Sequence, residues 1–175
     1  MKRRDILKTA GVLSTGGAVG LAGCSSSGDG EGSTDSPPPN TVLMITEGGD
    51  YYFDPIGQFV ETGETITFEI QSGRHSATAY HEEITSASVT RIPEGASTFN
   101  SGTMSNAGAT YKHTFDTAGT YDYFCIPHKS VGMVGRIVVG EPGGPAEGSM
   151  PPDGSVPEGQ SIVDQGSISY NQFTE

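Results

Sequence analysis

The 175-residue sequence has few basic residues and only two cysteines. Nine lysines and arginines stand against 21 aspartates and glutamates, which gives a formal net charge of −12. The phosphates of nucleic acids would repel such a surface, so nucleic-acid partners are excluded. Cys24 and Cys125 lie in segments of different character, which argues against a disulfide between them. High acidity with little lysine is also typical of proteins that work in concentrated salt.

A sustained helical period is absent from the sequence, and short alternating segments take its place. Apolar and polar residues alternate in residues 65–70, 110–115 and 119–125, as in strands with one buried face. Pro, Gly, Ser and Asn separate these segments, and residues 84–109 form a long excursion with few apolar residues. The pattern predicts an all-β sandwich of seven or eight strands in residues 41–140.

The N-terminal residues 1–23 are typical of an export signal. The twin arginines Arg3 and Arg4 precede a weakly apolar stretch that is too short and too rich in glycine for a membrane span. A lipoprotein-type motif follows, Leu21-Ala22-Gly23-Cys24, which predicts cleavage before Cys24 and a lipid on its sulfur. Cleavage would leave five basic and 20 acidic residues, a formal charge of −15.

Two further segments lack the apolar residues that a core needs. Residues 24–40 are rich in Ser, Gly, Pro and acids, and they predict a flexible linker after the lipidated cysteine. Residues 141–175 begin in the same way, with Gly, Pro and acidic residues as far as residue 159. We therefore expect a disordered C-terminal extension.

The loop between the last two predicted strands contains three candidate metal ligands. Cys125, His128 and Met133 lie within nine residues, and each flanking segment is a predicted strand. Thiolate, thioether and imidazole donors favour copper, zinc or iron–sulfur centres over magnesium or calcium. Two histidines, one cysteine and a weak axial methionine form the ligand set of a blue-copper site, so a second histidine is needed.

His75 is the best candidate for this second histidine. His113 lies within a strand between aromatic residues, which favours a partly buried core position. His75 and His81 flank a strand and are about 20 Å apart at roughly 3.3 Å per residue, so one metal ion cannot bind both. His75 follows a turn at the end of a strongly alternating strand, where a loop ligand belongs, and His81 remains the alternative.

Other interpretations of the same residues are weaker. A catalytic Cys–His pair gives no reason for Met133 and lacks an orienting acid. A zinc site would more often use another cysteine or histidine than a thioether. Met133 as a simple core residue does not explain its place in the loop with Cys125 and His128.

The loop and its surroundings resemble the small cupredoxins, such as plastocyanin and pseudoazurin. With the acidic composition and the lipoprotein motif, the chain is most similar to halocyanins, the blue copper proteins of halophilic archaea. The resemblance covers about residues 42–140. It rests on the segments Cys125-x-Pro127-His128-x-x-x-Gly132-Met133, Gly119-Thr120-Tyr121-x-Tyr123, Phe53-x-Pro55, Gly63-Glu64-Thr65-Ile66-Thr67-Phe68 and Arg91-Ile92-Pro93-Glu94-Gly95-Ala96.

This resemblance implies a Greek-key sandwich with one type 1 copper ion near one end. The implied ligands are His75, Cys125, His128 and Met133. Many family members follow the first histidine with an asparagine that ties the ligand loops together. Ser76 takes that place here, and its shorter hydroxyl is expected to make a similar hydrogen bond.

The expected function is single-electron transfer by a lipid-anchored copper protein at the outer face of the cell membrane, after export by the twin-arginine route. Expected partners are redox proteins of a membrane electron-transport chain. Neither enzymatic activity nor a small-molecule substrate is expected. Copper delivery or storage with the same ligands is the alternative function. A metal-free β-sandwich adhesion module is a third, and a disulfide between Cys24 and Cys125 without bound metal would support it.

Overall fold

The structure, a computed structural model, describes residues 38–175. Two helices in this range, α1 (Gly159–Gln165) and α2 (Tyr170–Thr174), lie close to the C-terminus. The remaining regular elements of the range are the strands β1 (Thr41–Glu47), β2 (Asp50–Asp54), β3 (Gly57–Val60), β4 (Glu64–Ile70), β5 (Thr78–Ala79), β6 (Thr110–Phe115), β7 (Gly119–Phe124), β8 (Val134–Val139) and β9 (Ser167–Ile168), with one 3-10 helix (Lys129–Val131).

The strands form two mixed sheets that pack on a common core. One sheet has the order β2-β1-β4-β6 and the other the order β5-β7-β8-β3-β9. The pairs β1–β4 and β3–β8 are parallel, and the other neighbours are antiparallel. These orders confirm the predicted all-β Greek-key sandwich, and eight of the strands lie within residues 41–140.

The alternation in the sequence explains how each sheet meets the core. Ile66, Phe68 and Ile70 are fully buried on one face of β4, and the residues between them are partly exposed. On the opposite sheet, Tyr121 and Tyr123 of β7 enter the same core cluster. Each fully buried side chain of this size contributes about 1.5–3 kcal/mol, so the shared core holds the two sheets together.

The C-terminal extension (residues 141–175) is folded, which differs from the expectation of disorder. It has few apolar residues, but four of them are buried: Ala146, Val156, Ile162 and Ile168. The extension also supplies α1, α2 and β9, and β9 pairs with β3. It covers the outer face of the second sheet, where every residue of β7 and β8 is buried.

A buried ion network lies between the second sheet and the extension. Asp122 of β7 accepts from Arg91 Nε and Arg136 Nε, each over 2.7 Å. The two guanidinium groups then donate to backbone carbonyls of the extension, including Ala146 O at 2.9 and 2.8 Å. These contacts explain how a segment rich in Gly and Pro is ordered: its carbonyls meet buried cationic donors.

The N-terminal predictions lie outside the described residues. These are the signal peptide of residues 1–23, the lipidated Cys24, and the linker of residues 24–40 except for its last three residues. Within residues 38–175, neither helix has the length and apolar character required to span a bilayer.

Candidate metal centre

Three predicted ligands converge at one end of the sandwich. His75 lies between β4 and β5, Cys125 directly follows β7, and His128 lies in the loop between β7 and β8. Cys125 Sγ is 3.7 Å from His75 Nδ1 and 3.5 Å from His128 Nδ1, and the two Nδ1 atoms are 3.2 Å apart. His75 and Cys125 are fully buried, whereas His128 is partly exposed. One small ion could therefore contact all three donors.

Hydrogen bonds orient the His75 ring. Its Nε2 lies 3.0 Å from the carbonyl oxygen of Ser72 and 3.0 Å from Thr46 Oγ1. A carbonyl oxygen only accepts, so Nε2 carries the proton and donates to Ser72. Nδ1 then has its lone pair free and directed toward Cys125. The backbone of His75 is fixed as well, because it exchanges two hydrogen bonds with Met104.

Gly73 permits this close approach. Its φ of +83° is in the left-handed region, which favours glycine. A Cβ at this position would overlap with Thr46 Oγ1 and would lie 2.9 Å from His75 Nε2. The turn before His75 therefore requires glycine for both its backbone conformation and its packing.

Ser76 joins the two ligand segments. Its backbone N–H donates to Cys125 Sγ over 3.4 Å, and its Oγ accepts from the backbone N–H of Ile126 over 2.8 Å. Thr78 Oγ1, 3.0 Å away, completes the surroundings of the Ser76 hydroxyl. The serine thus makes the hydrogen bond between the loops that was expected of it, despite its shorter side chain.

The ligand loop (residues 125–133) is closed by its own backbone. Cys125 N donates to Met133 O over 3.0 Å, and Met133 N donates to His128 O over 3.2 Å. The 3-10 helix between them ends at Val131, and the next residue, Gly132, has a left-handed φ of +87°. Met133 is only 1% exposed and belongs to the same core cluster as Cys125. The loop backbone therefore places Cys125 and Met133 in the buried core and His128 at the partly exposed edge.

Tyr51 is a further residue of the site, and the sequence did not single it out. Its ring stacks on the His128 ring, with centroids 3.9 Å apart and an angle of 16° between the planes. It also approaches His75 edge-on at 6.4 Å. The sequence did contain one indication of its position. Tyr51 is two residues before the buried Phe53 in β2, so both side chains lie on the same face of the strand.

The other two histidines lie elsewhere. His81 is partly exposed, and its Nδ1 is 3.7 Å from Glu83 Oε2. His113 is half-buried on β6 and packs against Phe99 and Phe115, with ring centroids 4.7 Å away in each case. Among the described residues, the cluster suited to a metal ion contains His75 and neither of these two.

Burial sets the protonation of the candidate ligands. It lowers the pKa of His75 to about 4, helped by the nearby His128 imidazole and opposed by the hydrogen bond to Ser72. Burial also lowers the pKa of His128 and raises the pKa of the Cys125 thiol. Both imidazoles are therefore neutral at pH 7 with a lone pair to donate. A metal cation beside the sulfur would stabilise the thiolate, so metal binding would displace the thiol proton.

The donor set fits copper. Two neutral imidazoles and one thiolate, with a buried thioether in the same loop, match the soft ligands that copper electron-transfer sites use. The hydrogen bonds at His75 Nε2 and Cys125 Sγ provide the outer support that such ligands need.

Comparison with known proteins found similarity to a plastocyanin, a halocyanin and a pseudoazurin. A plastocyanin from Scenedesmus fuscus is 32% identical over 102 residues, which cover 57% of this chain and 97% of the plastocyanin. A halocyanin from Natronomonas pharaonis is 31% identical over 110 residues, 61% of this chain and 60% of the halocyanin, so less than two thirds of that relative is spanned. A pseudoazurin structure from Methylobacterium extorquens aligns with 71% of this chain and 93% of its own, at 25% identity and a TM-score of 0.46.

A family model confirms the resemblance inferred from the sequence, and with it copper as the cofactor. The model describes copper binding proteins of the plastocyanin/azurin family, and it matches residues 40–140. This segment contains every strand from β1 to β8 and the whole ligand loop. Because the match spans more than half of the chain, the protein belongs to the plastocyanin/azurin family of copper-binding proteins.

Proposed function

We propose that this protein transfers single electrons through a type 1 copper site formed by His75, Cys125 and His128, with Met133 as the axial ligand. The observation that carries the proposal is the convergence of one sulfur and two imidazole nitrogens, all within 4.8 Å of one another. Bound copper would supply a one-electron couple between Cu(II) and Cu(I). The protein's own contribution is to hold the ligands in place before and after the electron moves.

Several contacts keep the ligands from moving. Hydrogen bonds fix the His75 ring, and Ser76 ties the Cys125 segment to the His75 segment. The Ser76 N–H also donates to Cys125 Sγ, which favours the thiolate. A site that is ordered in this way needs little rearrangement when the metal charge changes, so electron transfer is fast. Burial of His75 and Cys125 would also exclude water from that side of a bound copper ion.

His128 is the proposed route for electrons. It is the one residue of the three-donor cluster that is partly exposed. Pro127 and Val131 beside it are exposed, and Val131 is 62% exposed despite its apolar side chain. A small apolar surface around a ligand edge suits brief contact with redox protein partners, as opposed to a small-molecule substrate. The burial of the other ligands also favours retention of the metal over copper delivery.

Substitution of Met133 tests the electron-transfer function. The three strong donors remain in Met133→Leu, and the volume is similar, so the variant should fold at a cost below about 1.5 kcal/mol and still bind copper. Loss of the axial sulfur should raise the reduction potential, because an axial donor favours Cu(II). Met133→Gln introduces a harder oxygen donor and should lower the potential.

A redox titration of the three copper-loaded proteins measures this order: leucine above methionine above glutamine. An unchanged potential in the leucine variant would show that Met133 is not an axial ligand. The rate of copper loss, measured in the same samples with a chelator, separates the two functions. Electron transfer requires slow loss with reversible cycling, whereas rapid release on reduction would support copper delivery.

The same proposal places the protein at the outer face of the cell membrane, anchored by a lipid on Cys24. The twin arginines and the motif 21–24 support this location. The described chain also suits a tether. The described residues begin at residue 38 and lead into β1 at Thr41, whereas Thr46 of the same strand contacts His75. At about 3.3 Å per residue, the tether would join the domain roughly 17 Å from the metal end, which leaves that end free for partners.

Replacement of Cys24 with alanine tests the anchor. Two acyl chains give stable membrane binding where one chain gives only marginal binding, so loss of the modified cysteine should release folded protein. The measurement is the share of copper-loaded protein in the membrane fraction after cell lysis, with Cys24→Ala beside the wild type. A variant that remains in the membrane fraction would contradict lipid anchoring through this residue.

A further inference from the structure

The C-terminal extension contacts the ligand loop at Asp153. The Tyr80 hydroxyl donates to Asp153 Oδ2 over 2.7 Å, and Lys129 Nζ lies 3.5 Å from the same oxygen. Lys129 directly follows His128, so this ion pair joins the extension to the loop that carries the ligands. The exposed fractions are 23% for the Lys129 side chain and 22% for that of Asp153. Water therefore weakens this pair less than it weakens a fully exposed pair.

Lys129 has further contacts that fix its position. Nζ donates to the carbonyl oxygen of Ser86 over 2.7 Å, and it lies 5.0 Å from the centroid of the Phe124 ring. Lys129 is also the first residue of the 3-10 helix, and its carbonyl accepts from Gly132 N over 3.1 Å. Met133 directly follows Gly132 in the chain. A fixed Lys129 therefore fixes the backbone that leads to the proposed axial ligand.

Gly154 brings the extension against the same part of the loop. A Cβ at residue 154 would lie 2.8 Å from Val134 Cγ2 and 3.0 Å from Gly132 O. Both distances are shorter than ordinary van der Waals contact, so any larger residue would push the loop or the extension aside. The two backbones are therefore in direct contact beside Met133.

The extension is rigidly held on both sides of these two residues. Before them, Arg91 and Arg136 donate to Ala146 O over 2.9 and 2.8 Å. After them, Arg136 donates to Pro157 O over 3.1 Å. Because buried cations fix the chain at both ends, Asp153 meets the ligand loop from a fixed position.

We propose that Asp153 and Gly154 are positioning residues of the metal centre, which clamp residues 129–133 against the sandwich. The family match ends at residue 140, so these residues lie outside the family's domain. The inference rests on the proposed function, in which Met133 is the axial ligand. Loosening the clamp would let Met133 move relative to the three-donor cluster, and the reduction potential depends on that axial contact.

Two alanine variants of the full-length protein test the clamp without a change of charge. Gly154→Ala introduces the crowded Cβ, whereas Gly143→Ala introduces a Cβ that meets no atom within 4 Å. In Gly154→Ala, amide hydrogen exchange at Gly132 and Met133 should be about fivefold faster or more, because the local structure opens more often. The potential of the copper-loaded variant should also shift. Gly143→Ala should match the wild type in both measurements.

A second pair keeps the test valid if Gly154→Ala does not fold. Asp153→Asn removes the charge that faces Lys129, and Asp164→Asn removes an equal charge from the exposed side of α1, where Asp164 accepts from Gln160. Faster amide exchange at Gly132 and Met133 in Asp153→Asn, but not in Asp164→Asn, supports the clamp. The proposal is overturned if the two variants of each pair have the same exchange rates and the same reduction potentials.

Failure of the clamp and failure of the proposed function have different signatures. Exchange is measured on the copper-free protein too, so the clamp is tested whether or not copper binds. If the proposed function is wrong, the wild type itself forms no blue copper site. If only the clamp is wrong, the wild type is blue and the paired variants behave alike.

Discussion

Replacement of Cys125 with serine should abolish the blue colour of the copper-loaded protein. The strong visible band of a type 1 site arises from charge transfer between a thiolate and Cu(II), and a serine hydroxyl cannot supply it. Serine should still accept the backbone hydrogen bond from Ser76, so the fold should persist. The measurement is the visible spectrum after addition of Cu(II), with the free energy of unfolding of the copper-free variant as a check on the fold.

The histidines provide the matched controls for this result. His75→Ala should lose the band or leave the site open, because it removes a buried donor 3.7 Å from the Cys125 sulfur. His81→Ala removes a histidine that lies outside the cluster and should keep the band. An unchanged band in Cys125→Ser would end the copper-thiolate interpretation. The reverse pattern in the two histidine variants would overturn the choice of His75.

The ligand loop could be predicted from sequence because its information is local. Cys125, His128 and Met133 are close along the chain, and the flanking strands are marked by aromatic and β-branched residues. The alternating pattern of β4 likewise predicted which side chains face the core. His75 required one further step, since its position at the metal end depends on a strand ending in a tight turn at Gly73.

The extension could not be predicted in the same way, because its order comes from contacts distant in sequence. Its low apolar content indicates disorder when it is considered alone. The compensating feature is the pair of buried arginines, Arg91 and Arg136, which lie in the family domain and donate to carbonyls of the extension. Arg136 shares one face of β8 with Val134 and Val138, but the local pattern does not show that the extension is the segment that covers this face.

Local sequence patterns also could not predict the contacts that surround the ligands. Tyr51 meets His128 only after β2 is placed beside the ligand loop. Asp153 meets Lys129 only after the extension has crossed the second sheet. In both cases the partner is set by the tertiary fold, and neither residue belongs to a motif with a recognisable spacing.

The largest effect on stability is expected at Asp122, which has no exposed surface and lies between two arginines. Asp122→Ala should lower the free energy of unfolding by about 3–5 kcal/mol, because it leaves buried cations without a counter-charge. The matched control is Asp116→Ala, which removes an exposed aspartate from the turn before β7 and should change the free energy of unfolding by less than about 0.5 kcal/mol. Urea unfolding of the copper-free proteins at a fixed high salt concentration measures both values.

A double-mutant cycle identifies the cause of this loss. If the cost arises from uncompensated charge, removal of Arg136 in the Asp122→Ala background should cost much less than removal of Arg136 alone, with a coupling energy of roughly 1–3 kcal/mol. Limited proteolysis within residues 141–158 should also be faster in Asp122→Ala, since the arginines that hold the extension lose the carboxylate that orients them. Additive free energies in the cycle would mean that Asp122 and Arg136 act separately. In that case the covering of the second sheet would depend on the apolar contacts of Val156, Ile162 and Ile168 and on the pairing of β9 with β3.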